Sequence, residues 1–487
     1  MHMKSDLQWL SFFPKSIDYG APTRGVMLRE MGPRARAFGY SERHLQAVWF
    51  DPTLRPAVLR TTSGEAVFVE DAGTWNLEAG PDFIGAAVRI GTEQRRVTGD
   101  VEIHIHPGDW RAHAHKDDPK YARVRFHVTY FPGVLPSGEL PVGAVQIAMK
   151  DALVARPDFS FDGVDITAYP FAARATLPPC LAVWKSWSRD AKESVLDAAG
   201  QERLRRKTDR FARLMEVRGV DQALWEELMA ALGYRNNKTP FRRLAEALPH
   251  DSLREEAGGD PVVAYAILLG VSGLLPADLK STWDDETRRF VRSLWDAWWK
   301  RKEEYASRVM PLSAWQLGAM RPLNHPVRRL MAAAQLLAGP KKLSDVWLKC
   351  ARKKGSLASA LAAVEDSYWS HRSSLGGEKS SGKQALLGKD RAEALLLNVG
   401  IPFLAAMGQQ EPFDAGLLDQ LPAEQDNSVI RQAAFNLFGP HHAPALYKTG
   451  LRRQGLIQIF HDYCLNDRSR CASCAFPELL QGHGDRL

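Results

Sequence analysis

Short runs in which apolar and polar residues alternate fill the first part of the chain. They are AVFVED (66–71), AAVRIG (86–91), RRVTGDVEIHIH (95–106), VRFHVTYF (124–131) and GAVQIAM (143–149). Period-two alternation bounded by Gly, Pro and Asp predicts strands. Ahead of them, SERHLQAVWF reads as a short helix with Ser41 at its N-cap. From about residue 190 the period becomes helical and stays so. Leu204, Phe211 and Met215 form one stripe, and Phe290, Leu294 and Trp298 another at i, i+4, i+8. Ser281 and Thr282 before a run of acids, Gly339-Pro340 and Pro402 read as helix punctuation, and 373–384 as a mobile low-complexity loop. The expected fold class is α+β. An N-terminal mixed-sheet domain (1–185) precedes a larger all-α region (186–455) and a Cys-rich tail (456–487).

Composition narrows the class without naming a function. The chain has 487 residues, of which 45% are hydrophobic and 25% charged. These are globular values, and they exclude a mainly disordered or collagen-like chain. No apolar run is long enough for a transmembrane helix, so no membrane partner is expected. The N-terminal stretch lacks an apolar signal core, and a cytoplasmic location follows as the expectation. Net charge is +7, a mild bias toward polyanions. The distribution of two residue types is more telling. Five of 14 histidines fall within 104–127, and three of five cysteines within 464–474. Sparse, odd and clustered cysteines point to metal rather than to a disulfide framework.

The most informative segment is Gly80-Pro81-Asp82-Phe83 followed by Gly99-Asp100-Val101-Glu102-Ile103-His104-Ile105-His106. Strand alternation sends Val101, Ile103 and Ile105 to a core and Asp100, Glu102, His104 and His106 to the opposite face. Carboxylates near Asp82 suit a hard divalent cation, Mg²⁺ or Mn²⁺, and a histidine beside them suits proton transfer. The Asp109-Trp110-Arg111-Ala112-His113-Ala114-His115 loop follows at once. His113 and His115 are further candidates there, either extending a metal site or contacting a phosphate. His127 reads as a sheet histidine supporting such a site.

On these residues the segment resembles the PD-(D/E)xK nuclease superfamily. Pro81-Asp82, 19 intervening residues, then Glu102-Ile103-His104 matches its spacing, with His104 where that superfamily has Lys. The resemblance implies a nuclease-like core over about 40–150. Asp82 and Glu102 would bind magnesium or manganese, His104 would activate water, and Glu42 would supply a further acid from the preceding helix. Over nearly its full length the chain also resembles an uncharacterised bacterial family, a domain of unknown function. The marks are GPDF, GDVEIHI, DW-x-x-H-x-H, HVTYF, LGYRNNKTPF, RPLNHPVRR and the terminal cysteines.

His461, Cys464, Cys471 and Cys474 give H-x2-C-x6-C-x2-C, and the C-x2-C half is a zinc-knuckle spacing. A structural zinc with these four ligands is expected, with Cys180 as the rival fourth ligand and an iron–sulfur cluster as the alternative. Basic residues on the helices (Arg205, Arg206, Lys207 and Arg210, then Arg321, Arg328 and Arg329) are candidate phosphate contacts for nucleic acid. The functional expectation is therefore a metal-dependent phosphodiesterase acting on nucleic acid. The alternatives are an inactive nucleic-acid-binding scaffold and a zinc hydrolase of a small substrate. The sequence carries no P-loop, dinucleotide fingerprint or nucleophile elbow.

Overall fold

The computed structural model describes residues 40–77, 80–113, 115–156, 159–166, 169, 178–234, 237–318, 322–351, 356–408, 428–464, 474, 476 and 477. The chain divides into two compact units. One runs through Val195 and takes in Asp426–Leu446 and the residues from Leu456 onward; the other comprises Leu196–Gln425 and Tyr447–Gly455. The last stretch thus belongs with the strands at the front of the chain. Among the described residues no helix is long and apolar enough to cross a membrane.

The first unit begins with α1 (Glu42–Phe50) and seven strands: β1 (Leu59–Thr61), β2 (Ala66–Asp71), β3 (Thr74–Trp75), β4 (Phe83–Ile90), β5 (Arg95–His104), β6 (Val124–Thr129) and β7 (Val145–Ala148). They make one mixed sheet in the order β2-β1-β7-β6-β5-β4-β3, and a further β2–β4 pairing closes six of them on themselves. β4 and β5 are antiparallel, whereas β5–β6 and β6–β7 are parallel. A parallel partner obliges the chain to return to the end where the first strand began. After β5 the return runs through α2 (Asp109–Ala112) and two 3₁₀ turns, His115–Asp117 and Pro119–Tyr121.

The alternation expected along β5 holds, with one difference. Val101 and Ile103 enter the apolar core with Leu45, Trp49, Phe126 and Val128. The opposite face is buried as well: Asp100 is 3%, Glu102 6% and His104 0% exposed. The return segment after β5 supplies cover, with Trp110 fully buried.

The described residues that follow are mostly helical. α3 (Cys180–Ser186) is followed by α4 (Arg189–Arg218), α5 (Val220–Leu232), α6 (Pro261–Val271), α7 (Asp285–Trp299) and α8 (Pro326–Leu337). α6 is apolar on every face and accordingly central. A Cβ at Gly270 would overlap the Trp298 ring, so only glycine lets α6 and α7 approach this closely. Asp284 rather than Ser281 or Thr282 caps α7, its Oδ1 accepting the Thr287 N–H at 2.8 Å. Pro402 does not end a helix. It follows a π turn, Leu396–Gly400, whose shifted hydrogen bonds absorb the missing N–H.

The basic residues expected on an outer face are engaged within the helical unit. Arg205 bridges Glu202 at 2.6 Å and Asp209 at 2.9 Å, Arg206 meets Glu202 at 2.9 Å, and Arg210 meets Glu227 at 2.6 Å. Lys207 donates to Gln454 at 2.9 Å. Arg328 is fully buried and donates to the carbonyls of Trp369 (2.5 Å), Arg372 (2.5 Å) and Ala385 (3.0 Å). Arg329 is buried against the Leu386 carbonyl at 2.9 Å, and desolvation lowers its pKa to about 9. Arg321 lies outside the described residues. The stretch read as a mobile loop is pinned by Arg328, which donates to the Gln384 carbonyl at 3.3 Å, and by Lys379 with Glu286 at 3.0 Å.

Arg328→Met should destabilise the helical unit by roughly 3–5 kcal/mol, because several buried carbonyls lose a charged donor. Urea unfolding followed by tryptophan fluorescence measures this. An unchanged midpoint would contradict the pinning role.

Candidate metal centre

The return segment after β5 carries His113 and His115 back over the strand that holds Glu102 and His104. Parallel pairing sets Glu102 opposite His127 and His104 opposite Thr129 on β6. The result is a cluster of one carboxylate and four imidazoles. His115 Nε2 lies 3.1 Å and His104 Nε2 3.5 Å from Glu102 Oε1. His104 Nε2 is 3.1 Å from His113 Nδ1, and His104 Nδ1 is 3.0 Å from His127 Nε2. The ligand atoms of His104, His113 and His115 all lie within 4.8 Å of one another, within the reach of one metal ion. Trp110 packs edge-on to His115 and His127, and Tyr121 stacks on His115 with 3.8 Å between ring centroids.

Burial sets the protonation states. Desolvation, with neighbouring imidazoles adding to it, drives the His104 pKa well below its ordinary value. Desolvation also lowers His115 and His127 to about 4. These rings are therefore neutral near pH 7 and keep a lone pair for a metal. His104 shows the arrangement expected of a ligand: one ring nitrogen is fixed by a neighbour, His127, and the other faces the cluster. The Glu102 carboxyl is pushed well above its usual range, first by burial and then by the charge of Glu42 on α1.

Asp82 stands just before β4 and acts on this arrangement through the backbone. Its N–H donates to Glu102 Oε2 at 3.2 Å, and its Oδ2 accepts the Ile103 N–H at 2.9 Å. Gln46 of α1 donates to its Oδ1 at 2.6 Å. Arg43, one turn before Gln46, is buried over the Trp75 ring at 4.1 Å, and desolvation lowers its pKa to about 10 against the pull of Asp82. Sequence reading picked out Asp82, Glu102, His104, His113 and His115, and the fold brings them together with Glu42 in electrostatic range. It missed Arg43 and Gln46, whose i, i+3 spacing on α1 marks one helix face.

Two other candidates stand apart. Asp100 Oδ1 accepts the Gly85 N–H at 3.0 Å, where β4 and β5 shift register, so it holds the hairpin. His106 stacks on Phe131 at 4.5 Å, and its buried Nε2 lacks a partner among the described residues. Within the same unit, Cys180, Cys464 and Cys474 line one pocket. Phe460–Cys464 winds as a π turn rather than the α-helical turn assumed for His461 and Cys464, and the described residues lining the pocket include Cys464 but not His461. Cys471 lies outside the described residues.

The lowered imidazole pKa values predict acid lability in the metal-free protein. A folded-state pKa of about 4 against 6.5 unfolded gives stability that is present above pH 6.5 and lost as pH falls toward 4. For one such ring the loss between pH 7 and 5 is roughly 2 kcal/mol. Urea midpoints at the two pH values, for the wild type and His127→Gln, measure it, and the variant should show the smaller difference.

No curated protein and no solved structure matches the chain. A family model does: it is described as "Protein of unknown function (DUF2851)" and matches residues 42–427. The chain belongs to that uncharacterised family.

Proposed function

We propose that this chain is a metal-dependent hydrolase of phosphodiesters, with a zinc-type ion held by His104, His113 and His115 beside Glu102. The observation that carries the reading is the convergence of three imidazole ligand atoms within 4.8 Å, with Glu102 Oε1 3.1 Å from one of them. Nitrogen donors suit zinc and related transition metals, whereas magnesium asks for oxygen. A divalent ion held there supplies Lewis-acid polarisation of a phosphoryl oxygen. The residues themselves do the rest. His127 holds His104 in one ring orientation through the 3.0 Å contact. Glu102, its carboxyl beside the imidazole ligands and its pKa raised by burial in the metal-free protein, is placed to serve as general acid or base. Asp82, with Gln46 and Arg43 behind it, positions Glu102 and the strand that bears it.

The nuclease resemblance favours a second reading, a magnesium site on Asp82, Glu102 and Glu42. Its support is the electrostatic proximity of Glu42 to Glu102 and the Asp82–Glu102 contact at 3.2 Å. Against it, both Asp82 oxygens already accept hydrogen bonds from Gln46 and Ile103. A nucleic-acid substrate is supported by the motif resemblance and by the net charge of +7. The helical arginines add little, being paired or buried.

The test is cleavage of single- and double-stranded DNA, RNA and bis(p-nitrophenyl) phosphate with Zn²⁺, Mn²⁺ or Mg²⁺. His104→Ala, His115→Ala and Glu102→Gln should each lower turnover by about 100-fold or more. Activity with Mg²⁺ alone that survives His113→Ala and His115→Ala would favour the all-oxygen site. Salt-sensitive nucleic-acid binding without cutting in any metal would replace the enzyme reading with a binding scaffold. Cleavage of the small diester alone would move the substrate class to small molecules.

A further inference from the structure

We infer that Cys180, Cys464 and Cys474 hold a thiophilic metal ion, zinc being the expected one, at a centre separate from the imidazole cluster. The three cysteines come from positions far apart in the chain, yet they line a single pocket whose other walls include Leu437, Tyr463 and Phe476. Only five cysteines occur in 487 residues. A cysteine used as a small apolar residue has no reason to seek two others. Three thiols gathered in one pocket form the soft donor set that zinc prefers.

The local backbone explains why these three are presented. α9 (Ser428–Phe438) ends at the pocket, and the Cys180 Sγ lies 3.4 Å from the Asn436 carbonyl. α10 (Gly450–Ile459) runs into the π turn Phe460–Cys464, which puts Cys464 at the pocket wall. Phe476, two positions after Cys474, is 1% exposed. Its ring lies 4.7 Å from that of Tyr463 and 6.2 Å from that of Trp184 on α3. Cys471 stands three positions before Cys474, the spacing at which two thiolates reach one ion. The centre would tie the start of α3 to the final segment of the same unit. Metal binding of this kind contributes folding free energy directly.

The whole chain, purified under reducing conditions and loaded with Co²⁺, provides the readout. Only thiolate ligands give sulfur-to-cobalt charge-transfer absorption, so the imidazole centre is silent in it. The absorption should be present in the wild type, His104→Ala and Cys350→Ser, and clearly reduced in Cys180→Ser and Cys464→Ser. Undiminished absorption in Cys180→Ser would overturn the assignment. Alkylation of the unmutated protein guards against variants that fail to fold. Cys180, Cys464 and Cys474 should resist the reagent until a chelator is added, with Cys350 unaffected by the chelator. Equal labelling without chelator would overturn the proposal, as would iron with acid-labile sulfide in place of zinc, which excludes a single-ion centre.

Discussion

A carboxylate and several imidazoles withdrawn from water on one strand face are tolerable only because they face one another. Isolated in an apolar interior, each would carry a desolvation penalty of several kcal/mol. In contact, Glu102 accepts from the Asp82 backbone, His104 leans on His127, and His115 lies against the carboxylate. Charge is suppressed: the His104, His115 and His127 rings are neutral and the Glu102 carboxyl resists ionisation. A cation brought into this group would reverse the Glu102 preference at once. The surrounding elements follow from this need. α1 braces Asp82, the return segment covers the imidazoles, and Trp110 and Tyr121 exclude solvent from them.

The contrast with the nuclease-like pattern lies in what stands beside the acids. The Pro-Asp and Glu-x-His spacing is present, and β4 and β5 form the antiparallel hairpin that bears it. β6 then lies parallel to β5, so a strand histidine is brought opposite Glu102. The histidines of the return segment add nitrogen donors where an all-oxygen shell would place water. In the sheet itself the β2–β4 pairing closes six strands on themselves.

Much of this was legible along the chain, because period-two alternation and turn residues are local signals. All five predicted runs contain strands, and SERHLQAVWF contains α1. The cluster of site histidines was legible for the same reason: it is dense in sequence. What escaped was decided by distant partners. Nothing local tells that Arg328 is buried among the carbonyls of 369–385, since an arginine beside Asn324-His325-Pro326 reads equally well as solvated. Arg205 and Arg210 read as part of a cationic face because composition does not show which acids the side chains reach, Glu202 and Asp209 for the one and Glu227 for the other. The π turn at Phe460–Cys464 was invisible for a related reason. A one-residue change of winding leaves composition untouched while redirecting His461 and Cys464.

The division of the chain into units has a consequence for biosynthesis. The strand-bearing unit is discontinuous: it needs Asp426–Leu446 and the residues after Leu456 to be complete. A ribosome adds roughly 5–20 residues per second, so the sheet would emerge on the order of tens of seconds before the segment that finishes its unit. In that interval the Cys180 end of the first unit still lacks Trp184's ring partners Phe438 and Phe476, and the helical unit still lacks Tyr447–Gly455. Nascent chains stalled before residue 428 would therefore expose an apolar face that the finished protein covers. Recognition of that face by chaperones would fall within synthesis rather than after it.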